Sequence, residues 1–129
     1  MTRSRLLIAS AVLEVGAGLA FAIVPLTATL LLFGSAPEPP IGVIIGRLAG
    51  VALFSLGLAC WLARDDDRGR AARGLVAAML AYNAGAVALL TYAAVGLELG
   101  GVGLWPVALL HLAMAGWCLA RLRPPDGSG

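Results

Sequence analysis

Four long apolar segments, separated by short polar breaks, run along the chain. A helix that crosses a bilayer needs about 20 predominantly apolar residues, and each segment reaches that length. The first is too long, because residues 6–33 would rise about 42 Å as one helix, against a hydrocarbon core of about 30 Å. Pro25 lacks the backbone N–H that an inner helical turn needs, so we predict a break there. The predicted helices are residues 6–24, 26–33 (interfacial or a kinked extension), 41–63, 74–97 and 102–122.

These helices predict an all-α, polytopic membrane protein with a single domain over residues 1–129. In a bilayer the backbone polar groups must be satisfied within the chain, which favours an up-down bundle of four transmembrane helices. Residues 123–129 are expected to form a flexible tail. A cleaved signal peptide is the alternative for the N-terminus, with Ala20-Phe21-Ala22 as the cleavage site. Glu14 interrupts that apolar stretch and the hydrophobicity continues beyond the site, so we favour a retained helix.

The arginines predict the orientation of the bundle. Eight of the nine lie near the termini or in the middle loop, and the chain has no lysine. Arg47 is the exception. Positive residues are concentrated on the cytoplasmic side of membrane proteins. Both termini and the loop at residues 64–73 are therefore predicted to be cytoplasmic, in a bacterial inner membrane.

The composition agrees with a membrane protein and excludes several other classes. Hydrophobic residues make up 60% of the chain and charged residues only 12%, whereas soluble domains contain about 25% charged residues. Mean hydropathy is +0.94. A soluble domain, a disordered chain and a nucleic-acid-binding protein are excluded. The two cysteines, Cys60 and Cys118, lie within apolar segments, so no disulfide framework is indicated.

Polar side chains recur at one depth in the predicted helices. Counted from the nearest flanking arginine at 1.5 Å per residue, four of them lie about 13 to 15 Å into the bundle: Glu14, Ser55, Asn83 and His111. An ionisable group at this depth costs a few kcal/mol, roughly, on insertion scales. Glu14 and His111 are therefore predicted to face the interior and to find partners there.

Two interpretations of this layer stay open. In the functional one, Glu14 and His111 form a proton-active or ligand-binding site, with Asn83 and Ser55 as hydrogen-bond partners. In the other, polar side chains only hold the helices in register. Arg47 lies about 25 Å from the arginine-rich loop. It is predicted either to extend to the outer headgroups or to bind an anionic headgroup or substrate.

Small residues on the second long helix predict close helix packing. Gly42, Gly46 and Gly50 form two overlapping GxxxG spacings, which let helix backbones approach each other. We favour packing within the bundle, and a homo-oligomer or a contact with another membrane protein is the alternative.

No catalytic residue, metal site or cofactor is predicted, and the balance is against an enzyme. His111 and Cys118 are about 10 Å apart along one helix, too far for a shared metal ion. The acidic run Asp65-Asp66-Asp67 is interpreted as a solvated loop capping the third long helix, with a divalent cation as the alternative.

The second long helix resembles that of DoxX-like small bacterial membrane proteins. The resemblance rests on Gly46-Arg47-Leu48-Ala49-Gly50, followed by Leu53, Gly57 and Ala63-Arg64. Length, topology and the apolar last helix are also similar. This resemblance implies a four-helix bundle. Some members of the family resemble subunits of quinone-linked redox enzymes, which implies a membrane partner.

The first helix resembles that of small multidrug-resistance transporters, which carry an essential glutamate in a context like Leu13-Glu14-Val15-Gly16. The similarity covers about one helix and implies a proton-coupled exporter centred on Glu14. Taken together, the sequence predicts an accessory or ligand-binding membrane subunit with a polar site in mid-membrane. Proton-coupled export and quinone or lipid binding are the alternatives.

Overall fold

The computed structural model describes residues 2–66 and 69–123. Asp67, which belongs to the predicted acidic loop, Arg68 and the predicted tail beyond residue 123 lie outside the described residues. Within them the chain forms five helices and no strand: α1 (Thr2–Ile23), α2 (Pro25–Phe33), α3 (Ile41–Leu62), α4 (Arg70–Gly96) and α5 (Leu104–Leu122). Of these, α1, α3, α4 and α5 are long and apolar enough to cross a membrane. The predicted all-α class with four apolar spans is confirmed.

The first apolar segment breaks where proline removes a donor. Val24 has φ −127° and ψ 58°, outside the helical region. Hydrogen bonding nevertheless continues on both sides, since Val24 N–H donates to Ala20 O and Ala28 N–H donates to Val24 O, each at 2.9 Å. The result is a kinked continuation, with α2 packed against α1, α3 and α5.

α4 begins at Arg70, four residues before the predicted start at residue 74. Arginine and alanine have high helix propensity, so the polar stretch before the apolar segment is also helical. Hydropathy marks the part of a helix that lies in lipid and leaves out a polar first turn.

The bundle consists of two closely packed helix pairs, α1 with α3 and α4 with α5. The first pair approaches through glycines. A Cβ atom on Gly50 would lie 2.3 Å from the backbone nitrogen of Ala22, and one on Gly18 would lie 2.5 Å from that of Phe54. A Cβ atom on Gly46 would clash with the side chain of Pro25, and one on Gly42 would clash with that of Pro37. The predicted stripe of small residues is therefore occupied by other parts of the same chain.

The packed core lies at one end of the bundle, where α1 and α4 begin and α3 and α5 end. We call it the arginine-rich end, after the seven described arginines that flank it: Arg3, Arg5, Arg64, Arg70, Arg73, Arg121 and Arg123. Its buried side chains form one cluster: Leu6, Leu7, Ala11, Cys60, Ala72, Val76, Met79, Met114 and Cys118. All four long helices contribute to it.

The opposite end is closed by backbone hydrogen bonds. The N–H groups of Gly100, Gly101 and Gly103 donate to the last carbonyls of α2, at 3.1, 3.2 and 2.9 Å. These carbonyls have no partner within their own helix. A Cβ atom on Gly101 would lie 2.2 Å from Leu31 O, so glycine is needed for this approach.

Glu98, just after α4, has φ 54°, a left-handed conformation that non-glycine residues rarely adopt. The next amide, Leu99 N–H, closes the end of α4 by donating to Ala93 O at 2.9 Å. We expect Glu98→Gly to raise the free energy of unfolding by about 1 kcal/mol, because glycine adopts this conformation without the steric cost. Thermal unfolding in detergent measures the gain. Glu98→Ala, which removes the charge and keeps Cβ, should show none, and an equal gain in both variants would contradict a backbone origin.

Candidate functional site

Polar side chains from three helices meet in the middle of the bundle. Glu14 of α1 is 4% exposed and Asn83 of α4 is 1% exposed. His111 of α5 is partly buried and contacts Asn83. These are three of the five residues predicted to form a site. With Tyr82, described next, they constitute what we call the polar layer.

Glu14 has a polar neighbour across the bundle, Tyr82 of α4. The two side chains interact electrostatically. A carboxyl group buried between apolar helices depends on such a partner within the protein. Tyr82 therefore explains how α1 tolerates an acidic residue in its apolar middle.

His111 is held by a chain of two hydrogen bonds. Its Nδ1 lies 2.7 Å from Asn83 Oδ1, and Asn83 Nδ2 donates to Met79 O at 2.7 Å. The Met79 carbonyl oxygen can only accept a hydrogen bond, so the NH₂ group of the Asn83 amide must face it. The amide oxygen therefore faces the imidazole, and this oxygen also can only accept. Nδ1 of His111 therefore carries a hydrogen.

An aromatic contact joins the two halves of the polar layer. The rings of Tyr82 and His111 lie edge to face, with centroids 5.5 Å apart and an interplanar angle of 83°. Such T-shaped pairs are favourable. Glu14–Tyr82 and His111–Asn83 consequently form one continuous group spanning α1, α4 and α5.

A large apolar cavity lies between the two helix pairs, next to the polar layer. Its volume is about 780 Å³, and all five helices contribute to its wall. The polar lining residues are Tyr82 and His111, which lie at the end nearest the arginine-rich end of the bundle. Glu14 and Asn83 do not line it. The cavity thus has apolar walls and a polar floor.

The wall of the cavity is least closed between α3 and α4, which contact each other only sparsely. Several lining residues on these two helices are exposed and most are small: Ala49, Ala52, Ala81, Gly85 and Leu89. Small side chains leave the gap between the helices unfilled.

Ser55 does not join the polar layer, contrary to the prediction, and Arg47, which was predicted at a different depth, lies outside it as well. Ser55 is exposed, and its hydroxyl donates to Val51 O of its own helix at 2.8 Å. Arg47 is also exposed. Depth counted along the sequence cannot assign the face of a helix on which a residue lies, which is why the exposure of Ser55 was not predicted.

Two polar residues of this region were not predicted from the sequence. Tyr82 lies nine residues from Arg73, about 13 Å deep by the same count, so that count could have identified it. Ser10 is fully buried one helical turn before Glu14, and its hydroxyl finds no hydrogen-bond partner among the described residues. Both lie next to predicted site residues, Tyr82 in sequence and Ser10 on the same helix face.

The two cysteines are free and buried in the core cluster. Across residues 2–66 and 69–123, no group of three or more histidine, cysteine or acidic residues is placed to hold a metal ion. Comparisons with protein-family models, curated proteins and solved structures give no match to this chain. Function is therefore inferred from the geometry of the polar layer and the cavity.

Proposed function

We propose that this chain is an integral membrane protein that binds a neutral, lipophilic small molecule in the cavity between its helix pairs. The supporting observation is a cavity of about 780 Å³ whose lining is apolar except for Tyr82 and His111 at its floor. Sites for small molecules typically measure about 300–1,000 Å³ and combine apolar walls with a few polar groups. The ligand's tail would occupy the apolar part and its polar end would contact the floor.

The charges around the cavity favour a neutral ligand. No lining residue is an acidic residue, a lysine or an arginine, and Glu14 does not line the cavity. A charged molecule would lose its hydration without gaining a partner. This arrangement supports binding of a neutral ligand more than proton-coupled export centred on Glu14. The exporter stays a prediction from the sequence.

The arginines support an orientation with the arginine-rich end in the cytoplasm of a bacterium. In this orientation the cavity lies in the outer half of the bilayer and the polar layer near its middle. The gap between α3 and α4 then admits ligand from the lipid. An accessory subunit that presents or stores such a ligand fits this geometry and the DoxX-like resemblance of α3.

Gly85 provides a direct test, because it lines the cavity and a Cβ atom there would meet nothing within 4 Å. We expect Gly85→Phe to occupy cavity volume and to weaken binding of 1-dodecanol at least about tenfold, equivalent to about 1.4 kcal/mol. Native mass spectrometry of the detergent-solubilised protein, titrated with 1-dodecanol, measures affinity and stoichiometry. One molecule should bind to the unmodified chain.

Gly74→Phe is the matched control. Gly74 lies on the same helix and is equally open, with nothing within 4 Å of its Cβ position, but it does not line the cavity. Binding should be unchanged in this variant. Equal binding by the two phenylalanine variants, or no binding by the unmodified chain, would overturn the proposal.

A further inference from the structure

We infer that the cavity selects lipophiles bearing a hydroxyl group that donates a hydrogen bond, through an unprotonated nitrogen of His111. This inference rests on the proposed function and specifies the chemical class of its ligand. Carbonyl and ether analogues should bind less tightly than the corresponding alcohol, because their oxygens can only accept hydrogen bonds.

The hydrogen-bond chain behind His111 determines which nitrogen accepts. Met79 O receives a hydrogen from Asn83 Nδ2, and Asn83 Oδ1 receives one from His111 Nδ1. In a neutral imidazole only one nitrogen carries a hydrogen. Nε2 is then left with a lone pair. Asn83 acts here as a positioning residue, because it sets the tautomer from behind the ring.

Nε2 is also the nitrogen that a ligand can reach. The ring lines the cavity while Nδ1 points at the buried Asn83. Nε2 lies on the opposite side of the ring from this bond, and the side chain is only partly buried. A ligand in the cavity can therefore approach Nε2 without breaking the bond to Asn83.

The second polar group of the floor can accept as well. The Tyr82 hydroxyl oxygen carries two lone pairs, and Tyr82 lines the cavity beside His111. Nε2 of His111 and this oxygen are therefore two groups that can accept the hydrogen of a ligand hydroxyl.

The chain contains a single histidine, so labelling with ¹⁵N-histidine gives a spectrum of His111 alone. In lipid nanodiscs we expect Nδ1 to give the signal of a protonated nitrogen and Nε2 that of an unprotonated one. Addition of 1-dodecanol should shift the Nε2 signal and leave Nδ1 nearly unchanged. A hydrogen found on Nε2 of the neutral ring would overturn the inference.

Affinities for matched ligands complete the test. We expect 1-dodecanol to bind about tenfold more tightly than 2-dodecanone and undecyl methyl ether, which have similar size and lack a donor. His111→Phe, which keeps a planar ring and removes the acceptor, should reduce this preference towards unity. Equal binding of all three compounds by the unmodified chain would overturn the hydroxyl selectivity and leave the proposed function standing. Binding of none would overturn both.

Discussion

Gly50→Ala is expected to lower the free energy of unfolding by about 3 kcal/mol, the upper part of the range for overpacked sites. The added Cβ would lie 2.3 Å from Ala22 N and 2.6 Å from Gly18 O. Both atoms belong to the backbone of α1, so no side-chain rotation can relieve the contact. α1 and α3 must move apart, which weakens the larger of the two helix-pair interfaces. Equilibrium unfolding in mixed micelles measures the loss.

Gly16→Ala is the control for this effect. Gly16 also lies within a long helix, but nothing lies within 4 Å of its Cβ position. Alanine has a higher helix propensity than glycine by about 1 kcal/mol, so this variant should be as stable as the unmodified chain or more so. Similar losses in both variants would show that the glycines matter for reasons other than the approach of α1 to α3.

The fold was largely predictable because the bilayer restricts the alternatives. A segment in lipid must satisfy its backbone internally, so an apolar stretch of sufficient length indicates a helix without any knowledge of its neighbours. The break at Pro25 was predictable because proline lacks the backbone N–H that a continuous helix needs. The start of α4 was predicted wrongly because Arg70 to Arg73 lie in a polar first turn that hydropathy does not detect.

The candidate site was only partly predictable, because axial depth can be counted along a sequence whereas the face of a membrane helix cannot. Glu14, Asn83 and His111 face one another, but Ser55, at nearly the same depth, turns outward. In a soluble helix the polar face would reveal the orientation. In lipid both faces are apolar, so orientation follows from helix contacts instead.

Tyr82 and the cavity were not predicted for related reasons. Tyrosine gives no strong signal in an apolar segment, and Glu14 is on another helix, so only the folded chain brings the two side chains together. The cavity results from small residues on several helices, such as Ala17, Ala52 and Gly85. Each is unremarkable alone, and the space appears only when the helices are placed together.

Tyr82→Phe is expected to lower the free energy of unfolding by about 2 kcal/mol. It leaves the Glu14 carboxyl buried without its polar neighbour, which costs more than the loss of an exposed hydroxyl group. In a Glu14→Leu background the same change should cost much less, since no carboxyl remains to be satisfied. The difference gives a coupling of about 1.5 kcal/mol, near the top of the range found in double-mutant cycles of membrane proteins.

Tyr92→Phe provides the matched control for this cycle. Tyr92 lies on the same helix as Tyr82 but is 60% exposed, so loss of its hydroxyl should change stability by about 0.5 kcal/mol or less. Unfolding of all variants in the same lipid–detergent mixture gives the comparison. Additive losses from Tyr82→Phe and Glu14→Leu would mean that the carboxyl does not depend on the tyrosine. A clear coupling would instead establish that α4 holds the acidic residue of α1 behind the floor of the cavity.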